Sequence, residues 1–580
     1  MKQTIRQLWP YVMRHRRSLY LGFGSLIIKD FLVIAQPLLI RAGIDSVMNG
    51  VDLRRLLLFC SVLVCVTATK GFFQYQMRIH LVGLSRDVEY DLRNDIYTHL
   101  TRLAPDFFYR YRTGDLLSRS TSDLNAVRMM MGPGVMYWFE TMLTFLLAIV
   151  VMVTVDWRLT LLALLPAPLI SVVVISFGRK VHEQFERLQS RFAEISSRVQ
   201  ENLAGVRVVR AYGQERHEVE LFDHHNRGYV KEAVHLARTT STFHPLLQFL
   251  INLTFLIVLF GGGMALLDGR ITLGSFVMFQ TIMGMLIWPM IAFGWVINLM
   301  QRGMASMARI NDMLHFPPSI AAPANPTPLP EPVRGEIAFE NVKLAYDGRL
   351  ALDGITIRIA PGQTVAIVGP TGSGKTSLVN LLARLVDPTA GGVRVDGVDL
   401  READPQELRR HMGIVPQESF LFSCSIADNI ALGVPGASRE AVEEAARVAG
   451  LTPDLSSFPE GLDTVIGERG ITLSGGQKQR TAIARAILRN PRILVLDDSL
   501  SAVDTLTEER ILHELTEVRE GRTTILISHR VSTIRQADVI YVLESGRLVE
   551  QGTHDELLAH GGQYAALHEK QLIEEELETI

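Results

Sequence analysis

The sequence predicts two domains of different class, an all-α transmembrane domain of six helices followed by an α/β domain. Of the 580 residues, 48% are hydrophobic, and the mean hydropathy of +0.19 is high for a soluble protein of this length. The apolar residues are concentrated in six stretches of about 20 residues, the length that an α-helix needs to cross a bilayer. All six lie in the first half of the chain, and after residue 336 short apolar runs alternate with helical patterns instead.

The six stretches are joined in an uneven way that predicts their orientation. Short connectors join the members of each successive pair, whereas the long polar segments 79–131 and 179–244 separate the pairs and are rich in arginine. Because positive residues stay on the cytoplasmic side, these segments are expected to form cytoplasmic helices. The N-terminus, with Trp9, Tyr11 and basic residues at 14–17, is typical of an interfacial helix on that face. The predicted spans are 18–40, 56–78, 133–155, 157–178, 246–267 and 275–297.

Composition also sets the domain boundaries and excludes some functions. The transmembrane domain is expected to cover 1–315, and the proline-rich segment 316–335 is expected to be a linker that forms neither helix nor core. The α/β domain then covers 336–570, and 571–580 is an acidic tail. The net charge of −3 gives no basic bias toward nucleic acid. Three cysteines show neither metal-ligand spacing nor a disulfide framework.

A glycine-rich loop after a predicted strand indicates a phosphate site. The segment 364–385 is predicted as strand, loop and helix, and it matches the pattern G-x-x-x-x-G-K-[ST]. Backbone N–H groups of such a loop turn toward phosphates, and the helix N-terminus adds a favourable dipole. Lys375 is expected to reach the β- and γ-phosphates of ATP, and the Thr376 hydroxyl to ligate Mg²⁺. The expected ATP-binding residues here are Gly369, Pro370, Thr371, Gly372, Ser373, Gly374, Lys375, Thr376 and Ser377.

Two adjacent acids end a second predicted buried strand. In "ILVLDD" at 493–498, the apolar run carries Asp497 and Asp498 at its end. Asp497 is in the position of a carboxylate that binds Mg²⁺. The neighbouring acid raises the question of why a short aspartate stands where a longer side chain would reach further.

The motif "LSGGQ" at 473–477 resembles the signature of ATP-binding cassette (ABC) transporters, so the second domain is expected to be an α/β P-loop ATP-binding cassette domain. Other short motifs occur in the order that this family shows: "VIGERG" at 465–470 resembles the segment that contacts coupling helices in exporters, and "SAVD" at 501–504 resembles the loop at the dimer interface. The resemblance implies the following roles: Tyr346 stacks on adenine, Gln417 contacts Mg²⁺ and the membrane domain, His529 is the switch histidine, Ser501 and Asp504 belong to the interface loop, and Leu473, Ser474, Gly475, Gly476 and Gln477 form the signature.

The first half of the chain resembles the membrane domain of an exporter-type half-transporter. Segments 112–128 and 201–215 resemble the two coupling regions of that family. Since one half cannot enclose a pathway, the resemblance implies a second half-transporter as partner. It also implies that each ATP lies between the phosphate loop of one subunit and the signature of the other, where Ser474 and the glycines at a helix start offer donors to the γ-phosphate.

Asp498 departs from the family pattern, which has glutamate as the residue that polarises the attacking water. One methylene less withdraws the carboxylate by roughly 1–1.5 Å, and a misplacement of about 1 Å lowers rates by on the order of 10²-fold. The chain thus resembles the aspartate-bearing subunit of heterodimeric multidrug exporters, with a slow site of its own and an intact signature for the partner's site. The alternative is a homodimer in which Asp498 is a serviceable base.

Two classes of function remain at this point. One is an ATP-driven exporter of drugs, lipids or peptides in the bacterial inner membrane, with its ATP-binding domain in the cytoplasm. The other is a membrane-anchored ATP-binding regulatory or structural subunit, and a channel-like use of the fold is a third possibility.

Charged residues inside the spans are expected to face a cavity or a partner. Lys29, Asp30 and Glu140 are candidates for lining the cavity of a small amphipathic substrate, where Glu140 favours a cationic one. The alternative is a position near the interface or a structural pairing between helices. Neighbours 29 and 30 project about 100° apart on a helix, so we do not expect them to pair with each other.

Overall fold

The computed structural model describes residues 2–50, 52–467, 473–501, 505–528 and 530–578. Contacts between residues divide the chain into two compact units. The first consists of Met1–Leu100 and Thr113–Phe316, and the second of Thr101–Arg112 and Pro317–Ile580.

The described residues between 2 and 316 are mainly helical, as the apolar patterns predict. Two short π-helical turns, Arg119–Asp123 and Met130–Gly134, interrupt one of the long helices without ending it. The helices are α1 (Lys2–Arg14), α2 (Arg16–Met48), α3 (Leu53–Leu100), α4 (Pro105–Arg110), α5 (Thr113–Ser118), α6 (Leu124–Met129), α7 (Val135–Val155), α8 (Trp157–Leu164), α9 (Ala167–Ala204), α10 (Val206–Ala211), α11 (Glu215–Leu267) and α12 (Leu273–Leu314).

Six long helical stretches among the described residues are apolar enough to cross a membrane, which confirms the expected six-helix domain. They are much longer than a bilayer requires: at 1.5 Å per residue, the 53 residues of α11 extend about 80 Å, against a hydrocarbon core of about 30 Å. The six stretches are Arg16–Met48, Leu53–Leu100, Thr113–Val155, Trp157–Ala204, Glu215–Leu267 and Leu273–Leu314.

Close packing and an ion pair with a buried carboxylate help to hold together the extensions of these helices beyond the predicted spans. Asp123 is buried and accepts hydrogen bonds from Arg309 Nε, at 2.8 Å, and from Ser306 Oγ, at 3.0 Å. Gly303 of α12 lies directly against Met130, so closely that a Cβ atom at this glycine would be 2.3 Å from the Cβ of Met130. These contacts join α12 to the π-helical part of Thr113–Val155.

The proline-rich segment 316–335 forms neither helix nor strand, but the expectation that it stays out of a core is wrong. Leu329 and Val333 are buried in the main core of the second unit. The segment is also tied to that unit by backbone hydrogen bonds, since Thr327 N donates to Glu402 O at 2.8 Å. The prolines prevent regular structure, yet the two apolar side chains between them have a sheet surface on which to pack.

The second unit is an α/β domain, as predicted. Its strands are β1 (Ile337–Tyr346), β2 (Arg349–Ile359), β3 (Thr364–Val368), β4 (Ala390–Val395), β5 (Val398–Asp399), β6 (Met412–Val415), β7 (Ile493–Asp497), β8 (Thr523–Ile527), β9 (Val539–Glu544) and β10 (Arg547–Gly552). Its helices are α13 (Lys375–Leu382), α14 (Pro405–Arg410), α15 (Ile426–Ala431), α16 (Arg439–Val448), α17 (Thr452–Leu455), α18 (Gly475–Leu488), α19 (Thr505–Arg519), α20 (Val531–Ile534), α21 (His554–His560) and α22 (Gln563–Glu578), so the acidic tail continues α22 as far as Glu578.

Two sheets organise this unit. An antiparallel sheet has the order β2-β1-β4-β5, and a larger sheet has the order β10-β9-β3-β8-β7-β6. In the larger sheet β9, β3, β8, β7 and β6 are parallel, and β10 is antiparallel to β9. Parallel strands end at the same edge of a sheet, so the loops after β3, β6 and β7 meet at one edge, which is the usual position of a ligand site in such sheets.

We predict that Gly303→Ala lowers the thermal stability of the membrane domain. The new methyl group has no room beside Met130, and overpacking of this kind typically costs about 1–3 kcal/mol. Gly284→Ala in the same helix is the matched control, because its Cβ would make only an ordinary contact, 3.9 Å from Phe255. Thermal unfolding of both variants in detergent measures the effect. Equal melting temperatures for the two variants would contradict the close approach of α12 to Met130.

Candidate functional site: the ATP cleft

A cleft of about 260 Å³ opens at the carboxyl edge of the larger sheet. It contains the loop between β3 and α13, the ends of β7 and β8, and Gln417, which follows β6. Tyr346, the last residue of β1, stands at the cleft with 41% of its surface exposed, so its ring is accessible to a flat ligand. The lining residues are Tyr346, Ala351, Thr371, Gly372, Gly374, Lys375, Thr376, Ser377, Gln417, Asp497, Asp498 and Ile527.

Two glycines give the phosphate loop its shape. Gly369 has φ +146° and Gly374, the N-cap of α13, has φ +101°, both in the region that favours glycine. A Cβ at Gly369 would lie 2.1 Å from the carbonyl oxygen of Leu543, and one at Gly374 would lie 2.8 Å from that of Ala351. These two positions therefore accept no side chain, and the loop between β3 and α13 curves tightly with its backbone groups close together.

The side chain of Lys375 folds back over this loop. Its Nζ donates to the carbonyl oxygens of Gly369, at 2.8 Å, and Pro370, at 2.9 Å. Burial lowers the pKa of the ammonium group, while the charges of Asp497 and Asp498 oppose that shift. A polyanion in the loop would add further negative charge beside the ammonium group and would stabilise its charged form. Ser373 Oγ, in the same loop, is buried and has no hydrogen-bond partner among the described residues.

The two acids after β7 have different environments. Asp497 is the last residue of the strand and is only 2% exposed, next to the phosphate loop. Asp498 turns the chain, with φ +48°, and its N–H donates to the carbonyl oxygen of Ile527 at 2.8 Å. Gln417 Nε2 donates to a carboxylate oxygen of Asp498 at 3.4 Å. The left-handed turn thus directs the second carboxylate toward the loop that carries Gln417.

Gln479 is a residue that the sequence analysis missed. Its Nε2 donates to Ser501 Oγ at 3.0 Å and to the carbonyl oxygen of Asp498 at 3.4 Å, and Ser501 Oγ donates to the same carbonyl at 2.9 Å. These hydrogen bonds fix the left-handed turn through the carbonyl oxygen of Asp498. The available signal was a glutamine on the buried face of α18, in register with Gly476, Ala482 and Ile483.

The signature residues lie at the start of α18 rather than in the cleft. Ser474 is the N-cap: its Oγ accepts from Gln477 N at 3.2 Å, and Gln477 Oε1 accepts from Ser474 N at 2.9 Å. Gln477 Nε2 also donates to Asp454 at 3.1 Å. None of the signature residues, Leu473, Ser474, Gly475, Gly476 and Gln477, belongs to the described lining of this chain's own cleft.

Two expected site residues lie outside the described residues. His529 and Asp504 fall there, as do the last three residues of the segment 465–470. Ser501, the other interface-loop residue, is described and contacts Asp498 as given above.

The three residues predicted to line a substrate cavity, Lys29, Asp30 and Glu140, form one cluster. Lys29 Nζ is 2.6 Å from Asp30 Oδ1 and 2.6 Å from Glu140 Oε1. The expectation that Lys29 and Asp30 do not pair is therefore wrong. The angle between neighbouring Cα–Cβ directions is a poor guide here, because the four-carbon lysine side chain can fold back to a carboxylate on the next residue.

Comparisons with known proteins agree with this architecture. The model of the family described as "ABC transporter transmembrane region" matches residues 19–290, and the model described as "ABC transporter" matches residues 352–501. The chain therefore belongs to the ABC transporters and carries their membrane and ATP-binding domains fused in one polypeptide. It is an integral membrane protein and an ATP-hydrolysing transporter of the exporter type.

Three individual proteins illustrate the relationship. The "Probable multidrug resistance ABC transporter ATP-binding/permease protein YheI" of Bacillus subtilis is 37% identical over 97% of this chain and 96% of its own length. The "Multidrug resistance-like ATP-binding protein MdlA" of Escherichia coli is 35% identical over 99% of this chain and 97% of its own length. A solved structure, described as "Structure of a bacterial Atm1-family ABC exporter with ATP bound", superimposes with a TM-score of 0.77, is 29% identical, and covers 96% of this chain and 98% of its own.

We predict that Lys375→Ala abolishes high-affinity ATP binding at this chain's own cleft. The substitution removes the one cation that the loop places among its backbone groups, so the phosphates lose their main electrostatic partner. Nucleotide occupancy after rapid trapping is the measurement. Lys343→Ala, which removes a half-exposed lysine paired with Asp353, is the matched control and should retain binding. Unchanged occupancy in the Lys375 variant would contradict the assignment of the loop.

We predict that Gln479→Met lowers kcat for ATP in the chain purified alone by about tenfold with KM nearly unchanged, because Gln479 supports the Asp498 turn without lining the cleft. Methionine has a similar length but cannot donate a hydrogen bond. Gln551→Met, at an exposed position of β10, is the control and should leave both constants as they are. A parallel rise in KM, or a lower melting temperature than the control, would indicate a merely structural role.

Proposed function

We propose that this chain exports hydrophobic or amphipathic small molecules by alternating access, as one half of a heterodimer in which its own ATP site is slow. The observation that carries the proposal is Asp498. It stands directly after Asp497, at the position of the residue that polarises water in this family, with a side chain one methylene shorter than glutamate. Exporters of this family act as dimers, so each chain contributes one half of the assembly.

ATP binding is assigned to the cleft residues. In this proposal Tyr346 stacks on the adenine, and the loop 369–377 binds the phosphates through its N–H groups and Lys375. A magnesium ion fits the set of oxygen donors that the cleft brings together, namely the Thr376 hydroxyl, the Gln417 amide and the buried Asp497 carboxylate. When bound, such an ion would neutralise charge on the phosphates.

Sharing of each ATP between two chains is supported by the position of the signature. Ser474 and the first N–H groups of α18 form a capped helix start, a favourable partner for a phosphate, yet they do not line this chain's own cleft. We therefore infer that they complete the site of the partner subunit. ATP then favours the closed dimer through its higher affinity for that state.

Coupling to the membrane domain is assigned to the cytoplasmic helical segments. Thr101–Arg112 groups by its contacts with the ATP-binding unit, and Ser319 Oγ donates to Asp106 at 3.0 Å within that unit. This segment lies immediately before the first predicted coupling region, 112–128. In this proposal it and the second region, 201–215, transmit domain closure to the membrane helices.

A slow site follows from the reach of the side chain at 498. The backbone turn is fixed by Gln479, Ser501 and the Ile527 carbonyl, so the carboxylate has little freedom to advance and replace the missing methylene. The second candidate is a homodimer in which Asp498 is the working base. It is favoured by the contact of Gln417 with the Asp498 carboxylate, which keeps this acid at the cleft.

The substrate class and location complete the proposal. Two of the relatives described above are named as multidrug resistance proteins, which favours drugs among the candidate classes of drugs, lipids and peptides. We propose the bacterial inner membrane as the location, with the ATP-binding domain in the cytoplasm, because the positive-inside rule assigns the arginine-rich segments 79–131 and 179–244 to the cytoplasmic side.

We predict unequal effects of two substitutions in the complex with a partner that carries glutamate at the matching position. Asp498→Asn should reduce ATP turnover only mildly, because the slow site contributes little. Ser474→Arg should reduce it by about 10²-fold or more, because a bulky cation fills the partner's good site. Steady-state ATPase rates of both variants are the measurement.

The control for loss of a helix cap is Ser438→Arg. Ser438 caps α16 in the same way, accepting from Ala441 N, but it lies at an exposed position outside the cleft lining. It should leave turnover nearly unchanged. Severe and comparable losses for Asp498→Asn and Ser474→Arg would exclude unequal sites and favour the homodimer.

A further inference from the structure

A charge cluster with two buried members and a partly exposed one, Glu140, lies between α2 and α7 within the predicted membrane spans. Lys29 and Asp30 are 3% and 0% exposed, and Lys29 contacts both Asp30 and Glu140 at 2.6 Å. Thr144 Oγ1 donates to Asp30 Oδ1 at 3.2 Å, one helical turn beyond Glu140. The cluster therefore contains two carboxylates, one ammonium group and one hydroxyl.

The charges of this cluster do not balance. With both acids ionised, the sum is −1, because Lys29 neutralises only one of them. An uncompensated charge in a membrane interior is expensive, and such groups are usually paired or bind an ion. The imbalance thus calls for one additional positive charge.

The unfilled position is on Asp30. Its Oδ1 forms the ion pair with Lys29 and accepts the hydrogen bond from Thr144. Its Oδ2 is buried and has no hydrogen-bond partner among the described residues. Besides α7, helices α3 and α12 pack against α2, and α1 contacts it to a smaller extent. On α3, Lys70 donates instead to Gln36, at 3.2 Å, and the segment 273–301 of α12 contains no Asp, Glu, Lys, Arg or His.

Three aromatic residues stand next to the acid of α7 in the sequence. Tyr137, Trp138 and Phe139 directly precede Glu140. Their rings pair with rings of other helices, with centroid distances of 5.6 Å from Tyr137 to Trp295, 5.6 Å from Trp138 to Phe293, and 4.9 Å from Phe139 to Phe23. Phe139 and Trp295 remain partly exposed. The faces of such rings attract an organic cation more than a neutral molecule.

We propose that Asp30 and Glu140, bridged by Lys29, form a binding site for one monovalent positive charge. Two sources share this chemistry: a proton on Asp30, or the charged group of a lipophilic cation bound against the rings. The proposal rests on the proposed export function only for the physiological source of an organic cation. Sequence alone pointed to Glu140 as the cation-binding acid, whereas the structure places the unpartnered oxygen on Asp30.

Binding can be tested without ATP on the full chain in lipid nanodiscs. The probe is tetraphenylphosphonium, with triphenylphosphine oxide as a neutral aromatic control, and binding is measured by equilibrium dialysis over a range of pH. Asp30→Asn and Glu140→Gln should each weaken binding of the cation by at least about tenfold, because each removes the excess charge. Binding of the neutral control should stay as it is. Asp52→Asn removes an exposed carboxylate between α2 and α3 and should have no effect.

A variant with the opposite sign keeps the test independent of folding defects. Lys29→Gln leaves two acids without their ammonium partner, so it should strengthen cation binding while the carboxylate variants weaken it. General damage to the fold would weaken binding in every variant. Because no step needs ATP hydrolysis, a failure of the slow-site proposal leaves this result unchanged.

The two sources are separated by infrared difference spectroscopy. A carbonyl band of a protonated carboxylic acid that disappears in Asp30→Asn, together with equal phosphonium binding in all variants, assigns the charge to a proton. Loss of phosphonium binding in the carboxylate variants, with competition by protons at low pH, assigns the site to organic cations as well. If neither the band nor the binding differs between the wild type and the variants, the proposal is overturned and the cluster only holds α2 against α7.

Discussion

The absence of water inside a bilayer is the constraint on which this structure depends most. Each backbone N–H and C=O within the hydrocarbon must find its partner inside its own segment, so the first half of the chain can cross only as helices. The same helices continue far beyond the membrane without a break, as in α3 and α11. An uninterrupted helix is stiff along its axis. The long helices that satisfy their own backbone hydrogen bonds in the bilayer are therefore also stiff enough to transmit movement between the cytoplasm and the membrane.

The same lack of water governs the charges between α2 and α7. In an aqueous surface, Lys29, Asp30 and Glu140 would be screened and would contribute little. Inside the membrane the two acids must share one ammonium group, and in our proposal the residual negative charge binds a cation. The long lysine side chain makes this sharing possible, since it reaches an acid on the next residue and another on a different helix.

The ATP cleft depends on backbone geometry in a comparable way. Glycine is required where the phosphate loop passes within contact distance of Leu543 and Ala351, and a left-handed turn is required at Asp498. That turn is held from its carbonyl side by Gln479 and Ser501. Gln479 belongs to the helix whose first residue, in our proposal, serves the opposite ATP. In that proposal, one helix links the base of one site with the signature of the other and so connects the two sites physically within a single chain.

The sequence by itself determined the features that depend on residues close together in the chain. Six apolar stretches, the loop from Gly369 to Thr376 and the signature at 473–477 can be recognised because membrane length, loop shape and helix capping are local requirements. Only the tertiary structure decided which distant groups meet. It paired Lys29 with Asp30 and Glu140, placed Gln479 behind Asp498, and buried Leu329 and Val333 of the linker in the core. The physical reason is that these contacts depend on how helices and sheets pack. The residues that neighbour a position in the sequence do not determine which distant surface packs against it.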